Sequence, residues 1–312
     1  MRILVFGSGG VGGYFGAQLA ATGHDVFFVA RGAHLQAMQA AGLRVDSPLA
    51  PRHLQPVRCG SDPAAFAGPD IVMFCPKLWD VTAAAEQLRP ALAPHTLVIP
   101  FQNGVESHVW LTGLLGPRHV AVGVAQIAST IGAPGVIAHT GNFARLRVGL
   151  PPATAAEASM SQRLDAFVQA AQAAGIDAVH VADALRTLWE KYVFLVAMSG
   201  LTALVRGPIG SVRSDPDLRA VLEASMRETV ALAAAQGIPF EADFVERQMG
   251  FVDGLHAEMR SSLLHDLLAG RRLEAPWLSG GVARMSREHG LAAPVNQTLF
   301  AAMKPFIGGG AA

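Results

Sequence analysis

A chain of 312 residues exceeds what one small core needs and suits two domains of ordinary size, and a composition 51% hydrophobic and 15% charged describes a folded chain with cores to bury. Basic and acidic residues balance at 24 each and mix along the chain without a basic stripe, which argues against nucleic acid or a membrane surface as partner. The two cysteines, Cys59 and Cys75, form no CxxC pair, so the reading is a reduced, cytoplasmic protein without a disulfide scaffold.

In chain order, Arg2–Phe6 is a short, continuously apolar run, as expected of a strand buried on both faces and too short for a signal peptide. Val11–Thr22 is rich in Ala and Leu and predicts a helix stopped at Gly23. Asp25–Ala30, β-branched and aromatic, predicts a second strand. Asp70–Cys75 and Thr96–Pro100 repeat that pattern around a helix at about Trp79–Leu92, and Val120–Ile127 is a further strand. Ile137–His139 and Arg145–Val148 are expected to pair as a hairpin with Gly141-Asn142 as its turn. Ala153–Ala158 reads as a loop entering a helix. This βαβ rhythm predicts a mostly parallel, doubly wound sheet.

Beyond about residue 182 the strand pattern stops. Ala184–Val205, Asp215–Gln236, Phe240–Gly254, Ser261–Gly270 and Pro276–His289 read as helices, with Pro216 and Pro276 near helix starts and Gly237, Gly270 and Gly290 at helix ends. Tyr192–Val205, the longest uncharged apolar run, falls short of the roughly 20 residues that cross a bilayer and predicts a buried helix. Gly308–Ala312 is expected to fray. The fold class is therefore α/β: an N-terminal Rossmann-type doubly wound sheet over residues 1–182, then an all-α domain over residues 183–312.

Gly7-Ser8-Gly9-Gly10-Val11-Gly12 matches GxGxxG between the first strand and the first helix, with a second strand following. In that context the loop predicts a dinucleotide site: Gly7 for the tight turn, Gly9 for approach to the pyrophosphate, Gly12 for close packing of helix on sheet, and Ser8, Gly10 and Val11 completing the cradle. An NAD site usually carries an acid at the end of the second strand. Here Val29-Ala30-Arg31-Gly32 stands there, with no acid between Val26 and Gly42. Arg31 would pair with a 2′-phosphate as a planar donor fork, so NADP(H) is the expected cofactor. Eleven histidines occur without HExxH or a His/Cys cluster, so no metal is expected. No GxSxG or Cys–His pattern points to covalent catalysis.

Over nearly its whole length the chain resembles the ketopantoate reductase (2-dehydropantoate 2-reductase) family. The motifs that carry the resemblance are the glycine loop with Val29-Ala30-Arg31-Gly32, then Pro76-Lys77-Leu78-Trp79, Gln102-Asn103-Gly104, His139-Thr140-Gly141 and Trp189-Glu190-Lys191. Ser261-Ser262-Leu263-Leu264-His265-Asp266 and Gly270-Arg271-Arg272-Leu273-Glu274 complete the set. The resemblance implies NADPH-dependent reduction of the ketone of a branched 2-keto acid, on the route to pantothenate, by a homodimer. It implies Lys191 as general acid and Glu274 as the active-site acid that orients Lys191 or substrate and lies near the cofactor. It also implies Ser262 as a ligand of the substrate carboxylate, and Asn103 and Lys77 as contacts to both cofactor and substrate. Asp266 matches a family position too and reads as structural.

One departure stands out. Family members carry asparagines four and eight residues after the lysine, on one helix face. Here Leu195 and Ser199 occupy those positions. Either Ser199, water or another helix supplies the lost contacts and ketopantoate remains the substrate, or a more apolar pocket takes a 2-keto acid lacking the 4-hydroxyl. A reading from another class, a non-catalytic NADPH-binding protein, is opposed by the joint retention of Lys191 and Glu274.

Overall fold

The structure, a computed structural model, describes residues 1–310. They form two compact units, Met1–Gln102 with Glu106–Thr187, and Asn103–Val105 with the chain from Leu188 onward. The first unit runs β1 (Arg2–Phe6), α1 (Gly10–Ala21), β2 (Asp25–Val29), α2 (Gly32–Ala41), β3 (Leu43–Asp46), β4 (Arg52–Leu54), β5 (Cys59–Gly60), β6 (Ile71–Phe74) and α3 (Val81–Leu88). It continues with β7 (Leu97–Pro100), α4 (Ser107–Leu115), β8 (Val122–Ala133), β9 (Val136–Gly149), α5 (Ala158–Ala173) and β10 (Asp177–His180).

Five strands make a wholly parallel sheet in the order β5-β2-β1-β6-β7. Its apolar runs are explained by burial on both faces. Ile3 and Val5 of β1 enter one core with Phe15, Phe28 and Phe167, while Leu4 and Phe6 enter another with Phe66, Phe74 and Leu111. Val120 pairs in parallel with Val98 before the chain crosses into a second, mixed sheet in the order β10-β9-β3-β4, with β8 antiparallel to β9.

This second sheet corrects the expected hairpin. Gly141-Asn142 is not a turn; it lies inside the continuous strand β9, and the chain reverses at Pro134-Gly135 between β8 and β9. Ile127 pairs with Ala144 and Ser129 with His139, so residues 140–143 stand opposite Ala128 alone. The Gly-Asn pair is absorbed as a bulge. His139 secures it, its ring nitrogens 2.8 Å from Ser47 Oγ and 3.2 Å from the Phe143 carbonyl oxygen. The expected helix at 79–92 is broken into a 3-10 turn, α3 and a second 3-10 turn that contains Pro90.

The remaining elements are α6 (Ala184–Val205), α7 (Ile209–Ser214), α8 (Pro216–Ala235), α9 (Phe244–Asp253), α10 (Ser262–Leu268), α11 (Ser279–Glu288) and α12 (Pro294–Met303). From Leu188 on, they form the helical second unit around Val193, Ala197, Leu222, Met226, Val252 and Leu299. α6 has 22 residues, more than the apolar run alone suggests. Its length and composition would span a membrane, but 67% of its most apolar stretch is buried in the protein. The glycine tail, expected to fray, is tied down as far as it is described. The Gly310 amide donates to the Gly270 carbonyl at 3.0 Å and the Leu273 amide to the Ile307 carbonyl at 3.0 Å. Ala311 and Ala312 lie outside the described residues.

Candidate active site

In the first unit, the turn from β1 into α1 has the geometry of a phosphate cradle. Gly7 takes φ of +98°, and a Cβ there would stand 2.8 Å from the Cys75 backbone. A Cβ on Gly12 would lie 2.3 Å from the Gly7 carbonyl oxygen, so only glycine lets α1 start this close to the sheet. A Cβ on Gly9, by contrast, would meet nothing within 4 Å. The first helical bond closes from the Gly13 amide to the Gly9 carbonyl at 2.7 Å, which puts the amides of Gly10, Val11 and Gly12 ahead of it in the first turn. No acid sits in that turn. Open space above a positive helix end fits a pyrophosphate.

Ser8 has a different part from that expected. Its amide (3.1 Å) and its hydroxyl (2.9 Å) both donate to the Val29 carbonyl, and it is buried. It shapes the loop, with its donors turned away from the open side. Arg31 follows β2 directly, is exposed, and its guanidinium has no hydrogen bond or ion pair among the described residues. That free planar fork fits a 2′-phosphate. Lys77, just past β6, is exposed, with its ammonium 5.5 Å from the centre of the Trp79 ring.

The second unit brings together Lys191, Asn103 and Glu274. Half-buried on α6, Lys191 donates from Nζ to Asn103 Oδ1 at 3.0 Å. Burial pulls the Lys191 ammonium down to about 8, against the opposing pull of the Glu274 carboxylate. Glu274 is only 7% exposed, at the start of a 3-10 turn over Ala275–Trp277. A lysine so placed holds a proton at neutral pH but holds it loosely, the property of a proton donor.

Other expected residues separate here. Leu195 is half-buried on α6, one turn past Lys191. Ser199, expected to replace an asparagine contact, is 0% exposed and its Oγ has no partner among the described residues. As the chain stands, no ligand atom reaches it. Ser261 caps α10, accepting from the Leu264 amide at 3.1 Å, and meets Thr202 Oγ1 at 2.8 Å. Ser262 is left exposed, with no hydrogen bond among the described residues. The same residues include no cluster of three or more His, Cys, Asp or Glu able to hold a metal.

Two residues escaped sequence reasoning. Tyr192, beside Lys191, lies with its hydroxyl 2.8 Å from the Trp277 carbonyl and 3.0 Å from that of Leu278, which ties α6 to the loop after Glu274. His34 meets the glycine loop through the Ser8 carbonyl at 2.9 Å. Its position three residues after Arg31 was the available signal, because i and i+3 share a helix face.

A parallel sheet whose first strand opens through a glycine loop into a helix, open at Gly9, and, in the second unit, a desolvated lysine held by an amide oxygen near a buried carboxylate, are the features of a dinucleotide-dependent oxidoreductase. Comparison with known proteins supplies the family. The model for ketopantoate reductase PanE/ApbA matches residues 3–152, and that for its C-terminal domain matches residues 183–306. The chain is 30% identical to a 2-dehydropantoate 2-reductase of Archaeoglobus fulgidus, over 96% of this chain and 95% of that one. It is 25% identical to the uncharacterised oxidoreductase YkpB of Bacillus subtilis, over 98% and 99%. The crystal structure of a PanE/ApbA family ketopantoate reductase from Ralstonia eutropha superposes with a TM-score of 0.87 at 31% identity, covering 98% of each chain. The chain belongs to the ketopantoate reductase family.

Proposed function

We propose that the protein reduces the C2 ketone of a 2-keto acid with NADPH, ketopantoate being the first candidate. The observation that carries this reading is the Lys191–Asn103 bond together with the lowered hold of Lys191 on its proton. NADPH, when bound, supplies the hydride. It would be held by the amides of Gly9, Gly10, Val11 and Gly12 and by Arg31, with Lys77 beside the ribose. The remaining steps fall to the chain. Lys191 stabilises the negative charge growing on the carbonyl oxygen and passes its proton from Nζ to that oxygen. Asn103 Oδ1 holds Nζ on line, and Glu274 keeps the ammonium charged until the proton moves. The hydroxyl of Ser262, exposed and without a hydrogen bond among the described residues, suits the substrate carboxylate. Action as a homodimer in the cytoplasm is part of the same proposal and rests on the resemblance alone.

A specific observation favours a second substrate. Leu195 offers no hydrogen bond and Ser199 is sealed, so neither rewards a 4-hydroxyl. A pocket that does not bond a hydroxyl discriminates weakly for it. The test is NADPH oxidation against a panel of 2-keto acids that includes ketopantoate and 2-ketoisovalerate, with Lys191→Ala as control. Turnover is expected for at least one acid, with ketopantoate preferred by less than about a thousandfold. Lys191→Ala is expected to lower kcat by about a hundredfold or more, the scale of a lost general acid. Full activity in that variant removes the mechanism. NADPH binding with no turnover of any acid replaces it with the non-catalytic reading.

A further inference from the structure

We propose that His34 is a positioning residue for the dinucleotide: it fixes the direction of the Gly9 amide and sets the start of α2, with Arg31, against the glycine loop. This rests on the nucleotide reading above and extends it to a residue outside the glycine motif.

The two bonds of the ring determine its state. The Gly135 amide lies 3.0 Å from Nδ1, and a backbone amide can only donate. Nδ1 is therefore unprotonated, Nε2 carries the hydrogen, and Nε2 donates to the Ser8 carbonyl at 2.9 Å. Burial favours this neutral form by lowering the affinity of the ring for a second proton.

The consequence lies in the next peptide group. A trans peptide holds its C=O and N–H in one plane, pointing opposite ways. Holding the Ser8 carbonyl on the ring therefore aims the Gly9 amide away from it. The rest of Ser8 cannot swing to compensate, because its amide, its hydroxyl and the Gly7 amide all rest on the Val29 carbonyl. Gly9 is the loop position where an added Cβ would meet only open space. The ring has a firm base on its other side: the Gly135 carbonyl accepts from the Arg44 amide of β3 at 2.9 Å. His34 stands three residues after Arg31 on α2, so the same ring bears on both expected phosphate contacts of one ligand.

The experiment compares wild type, His34→Leu, which can neither donate nor accept, and His34→Gln, which can do both. Dissociation constants for NADPH and NADH are measured by fluorescence of the bound dinucleotide, alongside steady-state kinetics. Expected for His34→Leu is a loss of about tenfold in NADPH affinity, the scale of one to two hydrogen bonds. Its kcat at saturating NADPH and its KM for the keto acid should stay within about twofold. His34→Gln should bind NADPH within about threefold of wild type. Unchanged affinity in His34→Leu overturns the role of His34, and so does equal loss in both variants or a parallel fall in kcat. If His34→Leu does not fold, His34→Gln decides by the same threefold limit. Wild type that binds neither dinucleotide overturns the nucleotide reading itself, an outcome distinct from the others.

Discussion

Lys191 and Arg31 each turn a local environment into a measurable quantity. In the proposed reduction Lys191 acts in its protonated form, and burial brings that proton's loss down to about pH 8. The charged form is therefore full below that value and is lost above it. We expect kcat/KM for keto acid reduction to be flat below pH 8 and to fall about tenfold per unit above it, as one proton's titration requires. Glu274 opposes the lowering, so Glu274→Gln should move the alkaline limb to lower pH. A limb that stays in place or moves up contradicts the assignment. The role proposed for Arg31 is in binding alone. Its guanidinium is free among the described residues and no acid competes at the end of β2, so Arg31→Ala should raise the KM for NADPH by tenfold or more and leave that for NADH nearly unchanged. An unchanged KM for NADPH would end the preference for the 2′-phosphate.

Among elements, legibility followed periodicity and length. β1 and α6 occupy the ranges expected for them, because an apolar strand between two helix layers and a long apolar helix leave few alternatives. β3 and β4 have four and three residues, too few for alternation to stand out, so their place in a second sheet is not legible from the sequence. Gly141-Asn142 carries turn chemistry, yet pairing of β9 with β8, β3 and β10 outweighs that local preference and leaves a bulge held by His139. The site divides in the same way. The glycine loop and Arg31 are read from neighbours in the chain. The bond from Lys191 to Asn103 joins residues 88 positions apart, and no local pattern encodes it. The family motifs name both residues but not the bond between them. Ser199 shows the limit of reading a helix face from spacing: it follows Leu195 at i+4 and Lys191 at i+8, yet it is sealed within the second unit while Lys191 and Leu195 are only half-buried.

For the whole molecule, acid should act on the first unit before the second. His34, His108 and His139 all belong to the first unit, and burial lowers the proton affinity of each. His108 is pushed to about 4, and its Nδ1 is buried without a partner among the described residues. The sign follows from linkage. Below about pH 6.5 the unfolded chain protonates these rings while the folded one does not, so stability is lost as pH falls from there toward each folded-state value. For His108 the window is pH 6.5 to about 4, and the loss at its lower end is on the order of 3 kcal/mol. The carboxyls of Asp177 in the first unit and Asp253 in the second are held below 3.8 by arginines, so they stay charged through that window and do not obscure it. Hydrogen exchange between pH 7 and 4.5 should therefore show amides of β1, β2 and β6 losing protection before those of α8 and α11. His108→Leu should flatten the pH dependence of the denaturation midpoint between pH 6.5 and 4.5. Uniform loss of protection across both units, or a His108→Leu variant as acid-sensitive as wild type, would show that the buried histidines do not govern acid stability.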